Sequence, residues 1–222
     1  MCFYVHVKIK KEDLKKQFKS LNPDIKDFKY PVEDMTSGFD KPELPILIHQ
    51  TNFVIEPFNW GLIPNWAEHT HNFAINTLNA REETLLNKSS FKDYIDIQRG
   101  ILPINGFYEW QHIGKQKIKH LISHSNQIIL NIGVVFHRFI NQNHQEIKTF
   151  AIITQKANPL MEKIHNTKKR MPFIIPKGEE EIWISSDLNY TEAKQSIHSL
   201  KDDELNAKIM IEHINNTQIN LF

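Results

Sequence analysis

The thiol of Cys2, the chain's only cysteine, is the side chain best suited to nucleophilic chemistry. Because the second residue is small, methionine aminopeptidase is expected to remove Met1 and leave Cys2 at the mature N-terminus. That residue would carry an α-amine and a thiol, with reference pKa values of about 7.7–8.0 and about 8.5. Together they can capture an aldehyde as an imine that closes to a thiazolidine, and the thiolate can also transfer acyl groups. The alternative is a small buried apolar side chain at the start of a strand.

Two further residues are candidates for moving protons. Glu109 lies among aromatic residues in the segment GFYEW, where poor solvation raises a carboxyl pKa and makes the group a proton donor. The alternative is a glutamate on the solvent-facing side of a strand. His165 is the second candidate, although most of the 12 histidines are expected to be structural or exposed.

Cations near these residues suggest an anionic ligand. Lys168, Lys169 and Arg170 form a basic run that can grip phosphates or can be an ordinary solvated loop. Asn79 and Arg81 stand two residues apart at the start of a predicted helix. Taken alone, this pair is best interpreted as a helix cap beside an exposed arginine.

Two tryptophans flank a Gly/Pro turn in the segment WGLIPNW. We predict that Trp60 belongs to the core, and Trp66 is either core or an exposed ring that stacks on bases. The histidines lack metal-ligand spacing and there is no second cysteine, so we expect no metal site. The seven glycines form no phosphate-binding loop, and no cofactor is expected.

The composition indicates one globular domain. The chain has 222 residues, 40% hydrophobic, with a formal net charge of +1. This near-neutral net charge does not indicate nucleic-acid binding, but a local cluster of cations is enough to bind a nucleic acid. We expect no membrane helix and no secretory signal. A single cysteine gives no reason to expect an oxidising compartment, so a cytoplasmic protein is the default.

Hydrophobic patterning predicts an α+β domain built on a curved antiparallel sheet or barrel with short flanking helices. The strands are predicted at 5–10, 44–49, 53–58, 100–104, 107–111, 117–122, 128–136 and 147–154. The helices are predicted at 11–20, 80–86, 158–164, 179–184 and 191–200. Residues 22–43 are expected to form an irregular connection, and 201–222 a C-terminal extension that packs on the single domain of residues 1–222.

The order of these segments resembles the SRAP (SOS response-associated peptidase) family of abasic-site processing proteins. The resemblance runs along nearly the whole chain, and its joint spacing is specific. Its segments are Met-Cys at the start, WGLIPNW, NAREET from Asn79, LPINGFYEW, Thr154 with Ala157-Asn158, Ile164-His165 and Arg170-Met171-Pro172.

The resemblance implies a covalent thiazolidine between Cys2 and the aldehyde of an abasic site in single-stranded DNA. Asn79 would lie against the amine and sugar, Glu109 would be the acid and proton shuttle, and His165 would assist Schiff-base chemistry, including crosslink reversal and β-elimination. The remaining residues would bind DNA. They are Arg81, Trp66, Trp110, Thr154, Lys168, Lys169 and Arg170.

The chain departs from the family pattern at several positions. Phe3 and Tyr4 stand where the family commonly has Gly-Arg, and Ala67 stands where some relatives have an aromatic residue. Thr167, Lys168 and Lys169 form an apparent insertion, and the family's early Asn-Val-Ala-Pro-like stretch is not evident. These changes concern the grip on DNA more than the thiazolidine chemistry.

Two other functions remain open from the sequence. One is a cysteine peptidase or amidohydrolase in which Cys2, Glu109 and His165 cooperate, with removal of Met1 as one reaction. The other is a non-enzymatic single-stranded DNA-binding module that uses Trp66, Arg81 and Lys168. A monomer is the simpler expectation, because no amphipathic assembly helix is evident.

Overall fold

The computed structural model describes residues 2–67 and 72–210 of the chain. The first seven strands are β1 (Tyr4–His6), β2 (Asp24–Ile25), β3 (Thr36–Ser37), β4 (Glu43–His49), β5 (Phe53–Trp60), β6 (Asn79–Arg81) and β7 (Arg99–Ile104). The others are β8 (Gly106–Ile113), β9 (Gln116–His124), β10 (Leu130–Ile140), β11 (Glu146–Lys156), β12 (Arg170–Pro172), β13 (Ile174–Ile175) and β14 (Leu205–Ile209). The α-helices are α1 (Lys11–Gln17), α2 (Pro159–Ile164), α3 (Glu180–Ile184) and α4 (Tyr190–Gln195).

Five strands close into a barrel in the order β11-β10-β7-β4-β5. Neighbours in this order pair antiparallel. The ring closes through a parallel pairing of β5 with β11, in which Phe150 lies opposite Trp60. Closure leaves neither strand with an exposed edge at that point. The predicted α+β barrel is thus confirmed, with the parallel closing pair as the feature that sequence patterning did not predict.

Aromatic rings pack among the aliphatic side chains of the barrel core. Trp60 is completely buried, as predicted, and stacks on Phe150 with ring centroids 6.1 Å apart. Its indole nitrogen donates a hydrogen bond of 2.9 Å to the carbonyl of Leu78, so the buried polar atom is satisfied. Gly61 follows with φ of 119°, and a Cβ atom there would lie 2.7 Å from Ala74. Only glycine therefore fits the turn that leaves the barrel after Trp60.

A second sheet has the order β14-β9-β8-β1-β3. Its centre is the long β8–β9 hairpin, and β1 joins the other edge of β8 through Val5 opposite Phe107. β14 pairs with β9 along all five of its residues, from Leu205 opposite His124 to Ile209 opposite His120. Residues 201–210 of the predicted C-terminal extension therefore contact the domain, while 211–222 lie outside the described residues.

Some predicted elements were wrong. Residues 80–86 do not form a helix, because Asn79–Arg81 pairs in parallel with β11 as β6 and only a 3-10 turn, Glu82–Thr84, follows. Here a tertiary strand pairing overrides local helix propensity. The first strand ends at His6, and the helix predicted at 191–200 ends at Gln195. Residues 22–43 contain β2, β3 and a 3-10 turn between irregular stretches. None of the described helices is long and apolar enough to span a membrane.

Candidate active site

Cys2 lies two residues before the start of β1 and is 1% exposed. Its side chain belongs to the apolar cluster that includes Val5 and Phe107, as the structural alternative for this residue predicts. Burial raises the pKa of the Cys2 thiol, and the negative charge of Glu109 raises it further. The Sγ atom lies 4.0 Å from the carbonyl oxygen of Tyr4. The thiol is therefore held in its neutral form, close enough to the Glu109 carboxyl group to sense its charge.

Glu109 projects from β8 and is 5% exposed, which excludes the solvent-facing alternative. Burial raises the pKa of its carboxyl group to about 7. Its Oε1 atom lies 3.7 Å from Nδ1 of His165, whose side chain is equally buried. A carboxyl group that titrates near neutral pH can both donate and accept a proton during one reaction cycle.

His165 follows the last residue of α2, and its ring orientation is fixed from behind. Nδ1 lies 2.9 Å from the carbonyl oxygen of Arg170. Because a carbonyl oxygen only accepts, Nδ1 carries the hydrogen and Nε2 is the unprotonated nitrogen of the neutral ring. Burial lowers the pKa of His165, which favours this neutral form. Lys169 has a φ of 51°, and the turn at this residue brings the carbonyl of Arg170 next to the imidazole ring of His165.

Helix α2 is docked on β8 by side-chain amides that the sequence reasoning missed. Asn166 accepts a hydrogen bond of 3.1 Å from the backbone N–H of His112 and donates one of 2.7 Å to its carbonyl. Gln111 donates one of 3.0 Å to the carbonyl of Lys163. β1 pairs with β8 only at Gly106 and Phe107, so the β8 edge at His112 is available to Asn166. The sequence feature that could have identified Asn166 is its position directly after His165.

Asn79 and Arg81 lie on the same face of β6, because side chains alternate along a strand. Asn79 is therefore a strand residue opposite Ile152 of β11, and the helix-cap interpretation is wrong. It is buried, and neither its Oδ1 nor its Nδ2 atom has a hydrogen-bond partner among residues 2–67 and 72–210. A buried amide in this state is costly unless a ligand or solvent satisfies it. Arg81 is exposed.

A cavity of about 470 Å³ is lined by two of the catalytic candidates, Glu109 and His165, together with Trp110. Cys2 and Asn79 are not among its lining residues, and Phe3 and Tyr4, which follow Cys2 in the chain, are. A second cleft of about 550 Å³ is lined by five cations and two acids. The cations are Arg81, Lys156, Lys168, Lys169 and Arg170. Lys168 lines both, so the basic cleft and the catalytic cavity are neighbours that share one cation.

Two predicted DNA-binding residues are partly engaged within the protein. Arg170 forms an ion pair with Glu83 and donates a hydrogen bond of 3.2 Å to Oγ1 of Thr154. Thr154 is completely buried beneath it. Thr154 therefore lines neither cavity, and the charge of Arg170 is matched by that of Glu83.

Trp66 is 58% exposed and makes an edge contact with Phe73 at 4.9 Å. It lines neither the catalytic cavity nor the basic cleft. The segment that carries it is held by Thr149, which accepts from the N–H of Ile63, and by Tyr94, whose hydroxyl accepts from Asn65. These two hydrogen bonds anchor the segment on which the indole ring of Trp66 is exposed.

Among the described residues, no group of three or more His, Cys, Asp or Glu side chains is placed to hold a metal ion. The groups at the site that can carry nucleophilic and acid–base chemistry are the thiol of Cys2, the carboxyl group of Glu109 and the imidazole of His165.

Solved structures and curated relatives match this architecture. A protein from Bacteroides thetaiotaomicron superposes with a TM-score of 0.83 and 29% identity, covering 95% of this chain and 92% of its own. A Bordetella bronchiseptica protein, at 20% identity and a TM-score of 0.76, shares the fold over 95% of this chain and its own full length.

Relatives identified from sequence carry names that describe their activity. YoqW from Bacillus subtilis (strain 168), an abasic site processing protein, is 33% identical over 143 residues, which are 64% of this chain and 62% of YoqW. HMCES from Rattus norvegicus, also an abasic site processing protein, is 23% identical over 217 residues, covering 79% of this chain and 60% of its own. The chain thus matches about three fifths of each relative's length. The family model described as SOS response associated peptidase (SRAP) matches residues 1–217, and the chain belongs to this family.

Proposed function

We propose that this chain processes abasic sites in single-stranded DNA by forming a covalent thiazolidine through Cys2. The observation that carries the proposal is the 3.7 Å contact between Glu109 and His165 at one cavity, with the buried thiol of Cys2 near enough for the charge of Glu109 to raise its pKa. The carboxyl group titrates near neutral pH, and the imidazole is neutral. An aldehyde trap needs these groups: a nucleophile, an acid and a base. The names of YoqW and HMCES give independent support.

The first step is capture of the sugar aldehyde by the α-amine of mature Cys2. The protonated carboxyl group of Glu109 donates to the ring oxygen O4′ of the deoxyribose while the C1′ hydroxyl loses its proton to solvent. The C1′–O4′ bond breaks, and C1′ becomes the carbon of the aldehyde. The amine nitrogen attacks C1′, and loss of water leaves an imine. Asn79 offers an amide with unsatisfied donor and acceptor atoms for the sugar hydroxyl or the amine.

The second step closes the five-membered ring. The Cys2 sulfur bonds to the imine carbon, the C=N bond becomes a single bond, and the thiol proton passes to the nitrogen through the Glu109 carboxylate. The thiol starts in its neutral form, so a nearby proton acceptor is needed, and Glu109 meets that need. The product is a thiazolidine without net loss of atoms from the imine.

Strand cleavage and crosslink reversal would use the same groups from the imine. Nε2 of His165, the unprotonated nitrogen of the neutral ring, would remove a proton from C2′, and the 3′ phosphate would leave by β-elimination. Return of the thiazolidine to the imine, followed by addition of water, would release the DNA. Both activities are part of the proposal.

The basic cleft would hold the DNA backbone, with Arg81, Lys168 and Lys169 on phosphates. Trp110 would contact the sugar in the cavity, and Trp66 would stack on a base farther along the strand. Arg170 and Thr154 would support the wall between cavity and cleft. We propose a monomer that acts in the cytoplasm on nucleoid DNA, in repair linked to the SOS response. Removal of Met1, by an aminopeptidase or by the chain itself, completes the proposal.

Two alternatives are separable by experiment. A cysteine peptidase or amidohydrolase would need the Cys2 thiolate, and the raised pKa of that thiol counts against it. A non-enzymatic DNA-binding module would not need Cys2 at all.

The test is incubation with single-stranded DNA that carries one abasic site. We expect a conjugate that survives heating without borohydride, and intact-mass measurement should show loss of Met1. Retention of Met1 in the conjugating protein, or equal conjugate from Cys2→Ala, would contradict the proposal. Peptide turnover that depends on Cys2 would favour the hydrolase instead.

A further inference from the structure

Four aromatic rings form a continuous row beside the catalytic cavity. Phe3 and Phe39 have ring centroids 5.0 Å apart, Tyr4 lies 6.4 Å from Phe39, and Tyr4 meets Trp110 edge-on at 5.1 Å. We call Phe3, Tyr4, Phe39 and Trp110 the aromatic rim. The rings come from the N-terminal segment, the turn after β3 and the middle of β8, so the fold assembles the row from three separate segments.

The aromatic rim is a surface, unlike the barrel core. Phe39 is 42% exposed, and the other three rings are partly exposed. Phe3, Tyr4 and Trp110 line the catalytic cavity together with Glu109. In contrast, Trp60 and Phe150 in the barrel are completely buried. Exposed apolar rings that converge on a reaction cavity indicate a binding surface for a flat apolar group.

The position of the rim relative to Cys2 limits what that group can be. Phe3 and Tyr4 immediately follow the residue that would bond to the sugar, so their backbone lies within about 7 Å of it along an extended chain. Neighbouring bases of a stacked strand are about 3.4 Å apart. A base directly next to the abasic nucleotide would therefore reach the rim, and Lys117 and Lys168 in the same cavity could neutralise its phosphates.

We infer that the aromatic rim stacks on the unpaired nucleobase directly adjacent to the abasic nucleotide and so positions the sugar over Cys2. This inference rests on the proposed function. Stacking on aromatic side chains tolerates any base and contributes about 1–3 kcal/mol per base, which corresponds to about 5- to 150-fold in affinity. The rim would thus favour lesions flanked by a purine, which has the larger ring.

The first test uses binding without covalent chemistry. Single-stranded DNA carries a tetrahydrofuran abasic analogue, which has no aldehyde, with 2-aminopurine placed directly 5′ or 3′ to it. We expect quenching of 2-aminopurine fluorescence on binding at one of the two positions. Tyr4→Leu keeps an apolar side chain without a ring, and Phe39→Ala removes a ring outside the cavity lining; both should reduce the quenching. Ile140→Ala, at an exposed apolar residue on the end of β10, is the matched control.

The second test uses a true abasic site whose 5′ or 3′ neighbour is replaced by the tetrahydrofuran analogue. Loss of the neighbouring base on the quenched side should slow conjugation by about fivefold or more, and Tyr4→Leu should abolish that dependence. Equal quenching in native protein, Tyr4→Leu and Phe39→Ala, or conjugation indifferent to the neighbour, would overturn the inference while the proposed function stands. If no DNA forms a conjugate, the proposed function fails, and ring-dependent quenching would still support the rim.

Discussion

Nδ1 of His165 lies 3.7 Å from Oε1 of Glu109, and both side chains are almost entirely buried. Burial drives the two pKa values in opposite directions, up for Glu109 and down for His165. Both shifts favour the neutral forms. Because the Nδ1 hydrogen is directed to the carbonyl of Arg170, the resting pair consists of a carboxylic acid and a neutral imidazole whose Nε2 carries no proton. The acid and the base of the proposed reaction are thus assigned by environment.

The Glu109→Gln variant should change the pH dependence of conjugation. Glu109 must be protonated to open the sugar, so the rate should fall as pH rises above about 7. The amine must be deprotonated to attack, so the rate should also fall well below its pKa of about 8. We expect a maximum near neutral pH in the native protein. In Glu109→Gln the rate should be lower and its decline on the alkaline side should disappear, as measured by conjugate formation from pH 5 to 9.

The same substitution should change the pH dependence of stability. The folded chain holds the Glu109 proton up to about pH 7, whereas an ordinary glutamate loses it near 4.5. The free energy of unfolding therefore falls as pH rises between these values, by up to about 3 kcal/mol from this group. Glu109→Gln removes that loss. The free energy of unfolding of the variant, measured by urea denaturation, should therefore rise relative to that of the native protein between pH 4.5 and 8. The exposed Glu43→Gln is the control, and parallel curves for Glu109→Gln and the native protein would contradict the prediction.

Cys2→Ala should separate the roles of amine and thiol. The variant keeps the α-amine after removal of Met1, so the imine can form but the ring cannot close. We expect a product with abasic DNA that appears only after borohydride reduction, together with strand cleavage from the accumulated imine. A heat-stable conjugate without borohydride would show that sulfur is not part of the linkage.

The barrel was predictable from the sequence because short apolar runs identify most of its strands. The 44–49 and 147–154 predictions, for example, lie within β4 and β11. The Asn79–Arg81 strand was not predictable, because its three residues gain their conformation from pairing with Ile152–Thr154, which are distant in sequence. Local propensity in the segment AREETLL favours a helix, and a tertiary contact decides otherwise.

The members of the candidate site were predictable by residue type, but their surroundings were not. Nothing in the sequence shows that Arg170 pairs with Glu83 or that its carbonyl fixes the ring of His165. The hydrogen bonds between Asn166 and His112 and the aromatic rim likewise depend on packing between separate segments. Sequence motifs thus identified the reactive groups, and the structure added the contacts that hold them.

Arg81→Ala should weaken DNA binding in a salt-dependent manner. If Arg81 contacts one phosphate, its loss should make the slope of log affinity against log salt concentration shallower by about 1, the contribution of a single phosphate contact. Arg81→Lys should retain that slope, because a single charge is kept, although bidentate geometry is lost. Lys115→Ala, at the exposed β8–β9 turn, is the control. Fluorescence anisotropy with a tetrahydrofuran-containing strand at several salt concentrations measures the slope, and an unchanged slope in Arg81→Ala would remove this residue from the interface.

Asn166 should act as a positioning residue. Its amide satisfies both backbone groups of His112, so Asn166→Ala should destabilise the fold by about 1 kcal/mol and loosen the loop that carries His165. Conjugation should slow, and the part of its pH profile that depends on Glu109 should shift, because the 3.7 Å contact with His165 is no longer fixed.

The matched control is Asn141→Ala at the β10–β11 turn, where the Asn141 side chain likewise makes two hydrogen bonds with the backbone and accepts both, from Asn143 and Gln145. Asn141→Ala should lose similar stability, measured by urea denaturation, while the rate and pH profile of conjugation stay native. If the two variants slow conjugation equally, Asn166 contributes only stability. If Asn166→Ala alone shifts the pH profile of conjugation, the hydrogen bonds of Asn166 to His112 set the geometry between Glu109 and His165.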